Sequence, residues 1–227
     1  MLFRQLFDPT SSTYTYLLAD SAAGEAVLID PVRDQFDRDL GLLRSLGLKL
    51  VWVLDTHVHA DHVTGANALK LATGARTAVG RGCEAEGFDR QLTDGDEIRF
   101  GGETIRVIAT PGHTHGSVSF HWYDRVFTGD ALLIGGCGRT DFQAGDAGTL
   151  YHSITDRLFA LDDEVLVYPG HDYKGRRVSC IAEEKTLNPR LAGKSQTQFI
   201  EIMDNLHLPK PKLIDIAVPA NRVGGIA

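Results

Sequence analysis

Four apolar-rich runs in this chain each end, within a few residues, on a histidine or an aspartate, and that recurrence constrains the fold more than any bulk property. Leu50-Val51-Trp52-Val53-Leu54 delivers Thr56-His57-Val58-His59-Ala60-Asp61-His62, and Thr104 to Ala109 leads to Pro111-Gly112-His113. Val126 to Thr128 leads to Gly129-Asp130, and Val165 to Tyr168 to Pro169-Gly170-His171. Short apolar runs bounded by polar residues read as buried strands. A fold that suits this chain has to carry its chemistry at strand ends.

The remaining pattern fills in the architecture. Tyr14 to Ala19 and Ala26 to Asp30 read as strands, as do Thr77 to Val79, Glu97 to Phe100 and Val118 to Trp122. Phe36, Leu40, Leu43 and Leu46 recur at three- and four-residue spacing, which predicts a helix over Asp34 to Leu46 with Gly47 at its cap. Further helices are expected over Thr64 to Leu71, Leu150 to Leu161, Ser179 to Thr186 and Gln196 to Leu206. Strands in two batches, each followed by helices, favour an α+β chain: an αββα sandwich of two mixed β-sheets flanked by helices. No repeat or linker breaks the 227 residues, so one domain spanning 1–227 is expected.

Charge and cysteine usage exclude some functions. A net charge of −7 argues against a nucleic-acid partner, whose phosphates call for a positive surface. No apolar run reaches the roughly 18 residues of a membrane span, and Met1 to Gln5 alternates like a strand rather than a signal peptide. The three cysteines, Cys83, Cys137 and Cys180, are odd in number and far apart, which fits buried thiols in a reducing, cytoplasmic compartment.

Histidine and carboxylate are common ligands for zinc and iron, and His57-x-His59-x-Asp61-His62 packs four of them into six residues at a strand exit. If the strand continues, residues 57, 59 and 61 share one side, and His62 turns back from the start of the next helix. Together with His113, Asp130 and His171 they make seven candidate ligands for one metal site. Spacing alone leaves open whether that site holds one metal or two.

Thr-His-Val-His-Ala-Asp-His, Thr-Pro-Gly-His-Thr, Phe-Thr-Gly-Asp and Tyr-Pro-Gly-His resemble, in order, the metal motifs of the metallo-β-lactamase superfamily. A narrower resemblance covers nearly the whole chain. Gly136-Cys137-Gly138-Arg139-Thr140-Asp141-Phe142-Gln143, His171-Asp172-Tyr173, Thr186-Leu187-Asn188-Pro189-Arg190-Leu191 and Asn205-Leu206-x-Leu208-Pro209-Lys210-Pro211 are similar to the persulfide dioxygenases, or sulfur dioxygenases, the ethylmalonic encephalopathy protein family.

That resemblance implies one Fe(II) per chain on a facial triad of His57, His113 and Asp130, with His59, Asp61, His62 and His171 bonded around the ligands or held ready for a second metal. It implies oxidation of glutathione persulfide by dioxygen and water to sulfite and glutathione, in hydrogen sulfide catabolism. Arg139, Tyr173 and Arg190 are the expected substrate contacts; Arg139 alternatively pairs with Asp141. Lys174, Arg176 and Arg177 read as a solvated basic stretch, and His115, where many relatives carry proline, as a bystander. The alternative is a hydroxyacylglutathione hydrolase of the glyoxalase II type with two metals. A homodimer is expected, with no fused rhodanese domain, so that a separate sulfurtransferase or sulfide:quinone oxidoreductase would supply the persulfide.

Overall fold

A computed structural model describes residues 1–226. Six strands form the first sheet in sequential order: β1 (Leu2–Asp8), β2 (Thr13–Asp20), β3 (Glu25–Ile29), β4 (Lys49–Asp55), β5 (Arg76–Gly80) and β6 (Arg90–Leu92). The first two pairings are antiparallel and the last three parallel. The second sheet runs β12-β11-β10-β9-β8-β7, built from β7 (Glu97–Phe100), β8 (Glu103–Ala109), β9 (Val118–Trp122), β10 (Arg125–Gly129), β11 (Leu166–Pro169) and β12 (Ser179–Cys180). Only β10 and β11 pair in parallel there.

Alternation along the strands sends one set of side chains between the sheets and the other outward. Tyr16, Leu18, Ile29 and Leu54 from the first sheet meet Val107, Phe120, Trp122 and Phe127 from the second in a shared core. Outward-facing Leu17, Leu28 and Val53 are covered by α1 (Phe36–Ser45) and α2 (Ala66–Thr73). On the other side Val126 and Val167 pack under α3 (Ala147–His152) and α5 (Gln196–Asp204). This is the αββα sandwich of mixed sheets that the sequence pattern suggested.

Several element boundaries differ from the sequence reading. The helix expected over Leu150 to Leu161 is α3 followed by a π-helical segment, Ser153–Leu158. The one expected from Ser179 starts after the two-residue strand β12, as α4 (Ile181–Leu187). The polar three-residue strand β6 carries too little periodicity to be seen. A final helix, α6 (Ile214–Arg222), went unassigned because Pro219 lies inside it, where a proline ordinarily ends a helix. No helix among the described residues is long and apolar enough to cross a membrane.

Candidate metal centre

Because β4, β8, β10 and β11 run in the same sense, their C-terminal ends lie along one edge of the sandwich, and bonds between the sheets lock that edge. Val118 N donates to Thr56 O at 2.9 Å and Tyr14 N to Gly170 O at 2.8 Å across the sheets, while Gly170 N bonds to Gly129 O at 2.7 Å within the second. His57, His113 and Asp130 each follow one of three strands, and one ligand atom from each falls within 4.8 Å of the other two. Chain alternation does not govern the histidine loop. β4 stops at Asp55, so residues 57, 59 and 61 do not share a strand face; His59, Asp61 and His62 form a separate group. Nor does His62 start a helix, since α2 begins four residues later at Ala66.

Hydrogen bonds fix which nitrogen each ring presents. Thr56 Oγ1 donates to Asp30 Oδ2 at 2.8 Å and therefore accepts from His57 Nδ1 at 3.0 Å, leaving the His57 Nε2 lone pair free. His113 Nδ1 donates to the carbonyl of Arg139 at 2.6 Å, leaving Nε2 free 3.7 Å from Asp130 Oδ2. Burial, then the neighbouring His59 and His113, hold His57 well below the usual imidazole range, so it is neutral and able to ligate. Burial works against Asp130, yet His171, His113 and His57 keep its carboxylate ionised. Two imidazoles, each with one nitrogen left free by its hydrogen bonds, and a carboxylate suit a divalent transition metal.

His171 is arranged differently. Its Nδ1 lies 2.7 Å from Asp130 Oδ1 and its Nε2 lies 2.9 Å from Asp61 Oδ2, with Thr13 Oγ1 at 3.1 Å. Two carboxylate partners require a proton on each nitrogen, so the ring has no lone pair to offer. Despite burial, Asp130 and Asp61 raise it well above the ordinary imidazole value. His59 Nε2 faces Asp30 Oδ1 at 3.1 Å and is raised, against its burial, to about 9. His59 Nδ1 and His62 Nε2 are buried without a hydrogen-bond partner.

Sequence reasoning passed over three of these supports. Asp30, 1 % exposed, accepts from Thr56 N at 2.7 Å as well as from Thr56 Oγ1 and His59. In the sequence it is the end of a strand, and nothing there pairs it with residue 59. Thr13 touches Asp61, His62 and His171 from the start of β2. Asn221 reaches the histidine loop from α6. Two glycines make the close approaches possible. A Cβ on Gly138 would stand 2.7 Å from His113 Nδ1, and one on Gly170 would stand 2.7 Å from Asp130 Oδ1.

A cavity of about 300 Å³ opens beside the centre, lined by His113, Asp130, the 133–139 loop, Tyr173, Lys174 and Arg190. Tyr173 is 72 % exposed and stacks flat on His171 at 6.0 Å between ring centroids. Arg190 spends one nitrogen on Cys137 O, at 2.6 Å, and otherwise faces the cavity. The expectation for Arg139 has to be narrowed. Four of its five N–H donors go to Asp141, Leu208 O and Pro209 O, so it builds the wall as the pairing alternative described. Arg176 is likewise tied to Asp172, and both it and Lys174 line the cavity. Cys137 is 3 % exposed within that wall, and exposed His115 lies at a different cavity, of about 190 Å³.

Comparison with known proteins places the site in context. The family model described as the metallo-beta-lactamase superfamily matches residues 8–171. The mouse protein named "Persulfide dioxygenase ETHE1, mitochondrial" is 52 % identical over all of this chain and 89 % of its own length. The crystal structure of ETHE1 from Myxococcus xanthus is 59 % identical and superposes with a TM-score of 0.97, over 99 % of this chain and 100 % of that one. A more distant structure, TTHA1623 in a di-iron-bound form, is 29 % identical with a TM-score of 0.68, over 84 % of this chain and 100 % of that one.

Proposed function

We propose, from the premise that this chain belongs to the metallo-β-lactamase superfamily and within it to the persulfide dioxygenases, that it oxidises glutathione persulfide with dioxygen and water to sulfite and glutathione at one ferrous ion. His57, His113 and Asp130 would hold the ion. Bound there, iron supplies the redox chemistry that a spin-paired persulfide needs to react with dioxygen. The chain's own residues do the rest: three ligands from three strand ends leave the cavity side of the site open, and the cavity orients the thiol carrier toward it.

The observation that carries the single-metal reading is His171. In a two-metal hydrolase an imidazole at this place would need a lone pair for the second ion; here both nitrogens are committed to Asp61 and Asp130. The buried, unpaired nitrogens of His59 and His62 favour the second reading, a glyoxalase II-type hydrolase. They are outweighed by the bridge and by the persulfide dioxygenase relatives, which match along the full chain.

Glutathione has two carboxylates, and the cavity offers Arg190, Lys174 and the Tyr173 hydroxyl as counterparts. Arg139 acts indirectly, by holding the 138–141 turn against 208–209. A homodimer, a cytoplasmic setting, and a separate sulfurtransferase or sulfide:quinone oxidoreductase that supplies the persulfide complete the proposal. The mouse relative's name assigns that protein to mitochondria. The test is oxygen consumption by anaerobically purified, iron-loaded protein on adding glutathione persulfide. Sulfite formed in step with oxygen lost is the expected result. Hydrolysis of S-lactoylglutathione without oxygen uptake on persulfide would overturn the assignment.

A further inference from the structure

The loop that carries His57, His59, Asp61 and His62 is held by side chains. Residues 57–62 make no backbone–backbone hydrogen bond among the described residues. Their carbonyls are taken by two amides instead: Gln143 Nε2 donates to Val58 O at 2.7 Å, and Asn221 Nδ2 donates to His59 O at 2.9 Å and to His62 O at 2.8 Å. The Asn221 carbonyl oxygen accepts from Thr64 N at 2.8 Å, so one buried side chain, 1 % exposed, closes three bonds on six residues of loop.

We infer that Asn221 is a positioning residue for the metal centre and that α6 is the element that fixes the centre's histidine loop. The connection to the ligands is a continuous series of contacts. The segment pinned by Asn221 contains Asp61, whose carboxylate meets His171 Nε2 at 2.9 Å; His171 Nδ1 meets Asp130 Oδ1 at 2.7 Å. At its N-terminal end, His59, the segment joins His57 through Val58 alone. Helix α6 is itself anchored to the first sheet's helical layer: Ala217 and Ala220 pack on Val63, Asn67 N donates to Gly224 O at 3.0 Å, and Glu86 N donates to Arg222 O at 2.8 Å. An asparagine suits the position because only a side-chain amide supplies two N–H donors and an acceptor at this reach. Aspartate would keep the acceptor and turn both donors into repulsion.

The inference rests on the metal centre and not on the oxygen chemistry, so it is tested with cobalt(II) as the probe, by absorption titration of metal-free full-length protein. Three variants are compared with wild type: Asn221→Ala, Asn221→Asp, and Ile216→Gly, which weakens the same helix at an exposed position remote from the loop. Hydrogen exchange of residues 59–64 is followed in parallel. Both Asn221 variants are expected to lose about 10- to 100-fold in cobalt affinity, the usual scale for bonds that orient ligands, with faster exchange in 59–64. Ile216→Gly should lower the melting temperature and leave affinity unchanged. Cobalt affinity in Asn221→Asp equal to wild type, or lowered only as far as in Ile216→Gly, overturns the inference. Wild-type protein that takes up no cobalt overturns the metal centre itself.

Discussion

A methyl group on Gly138 would have to stand 2.7 Å from His113 Nδ1 and 2.4 Å from Asp130 O, where the Gly138 N–H already bonds to that carbonyl. Neither neighbour can retreat without moving a ligand. Gly138→Ala is therefore expected to lower iron content and ferrous affinity by at least about tenfold while the protein stays folded, as read by elemental analysis and circular dichroism. Asp30 makes a different kind of prediction. Against its burial, Asp30 raises His59 from the ordinary 6.5 to about 9, so in metal-free protein this proton is bound more tightly folded than unfolded. Its stabilisation, on the order of 3 kcal/mol, is complete below pH 6.5 and lost as the pH rises through about 9. Asp55, lifted by burial to about 7, weakens the fold with rising pH only up to that value, so it leaves the higher window clear. Urea unfolding of metal-free wild type should show stability falling between pH 7 and 9, with the raised His171 adding to the fall as the pH climbs, and Asp30→Asn should make the slope shallower by the His59 share; equal slopes would contradict the Asp30–His59 pairing.

Among the elements, the loop after β11 separates binding from metal retention. Asp172 is buried and accepts the backbone N–H groups of Lys174 and Arg176 at 2.8 and 2.7 Å, and its other oxygen accepts the Arg176 guanidinium at 3.1 and 3.0 Å. Asp172→Asn removes the charge that gathers this basic turn. KM for glutathione persulfide should rise about tenfold with kcat and iron content little changed, since the rim of the cavity loosens and the ligands do not. A fall in kcat at constant KM would mean that the loop serves the metal instead. The site's first layer was legible because strand period and ligand-type residues coincide four times, and His57, His113 and Asp130 could be named from motif and resemblance. The supports were not. Asp30, Thr13 and Asn221 are ordinary residues in ordinary settings, joined to the histidines only when β2, β3 and α6 meet in space. Pro219 hid α6 for a local reason that the tertiary packing of Ala217 and Ala220 overrides.

For the molecule as a whole, two mixed sheets pack so that three ligand-bearing strand ends meet at one edge, beside a cavity whose wall includes His171 and Asp130 of the carboxylate–imidazole–carboxylate bridge. That arrangement follows from β9, which pairs antiparallel with both β8 and β10 and so sets their ends on one edge, and from the inter-sheet bonds that hold the end of β4 against it. With His171 filling the place a second metal would need, one ferrous ion should suffice for persulfide oxidation. Anaerobic titration of metal-free protein with ferrous ion, each point assayed for oxygen uptake and sulfite on glutathione persulfide, tests this directly. Activity that rises linearly and stops at one iron per chain is the predicted result. Activity that needs two irons per chain, or that appears only as thioester hydrolysis, would contradict it.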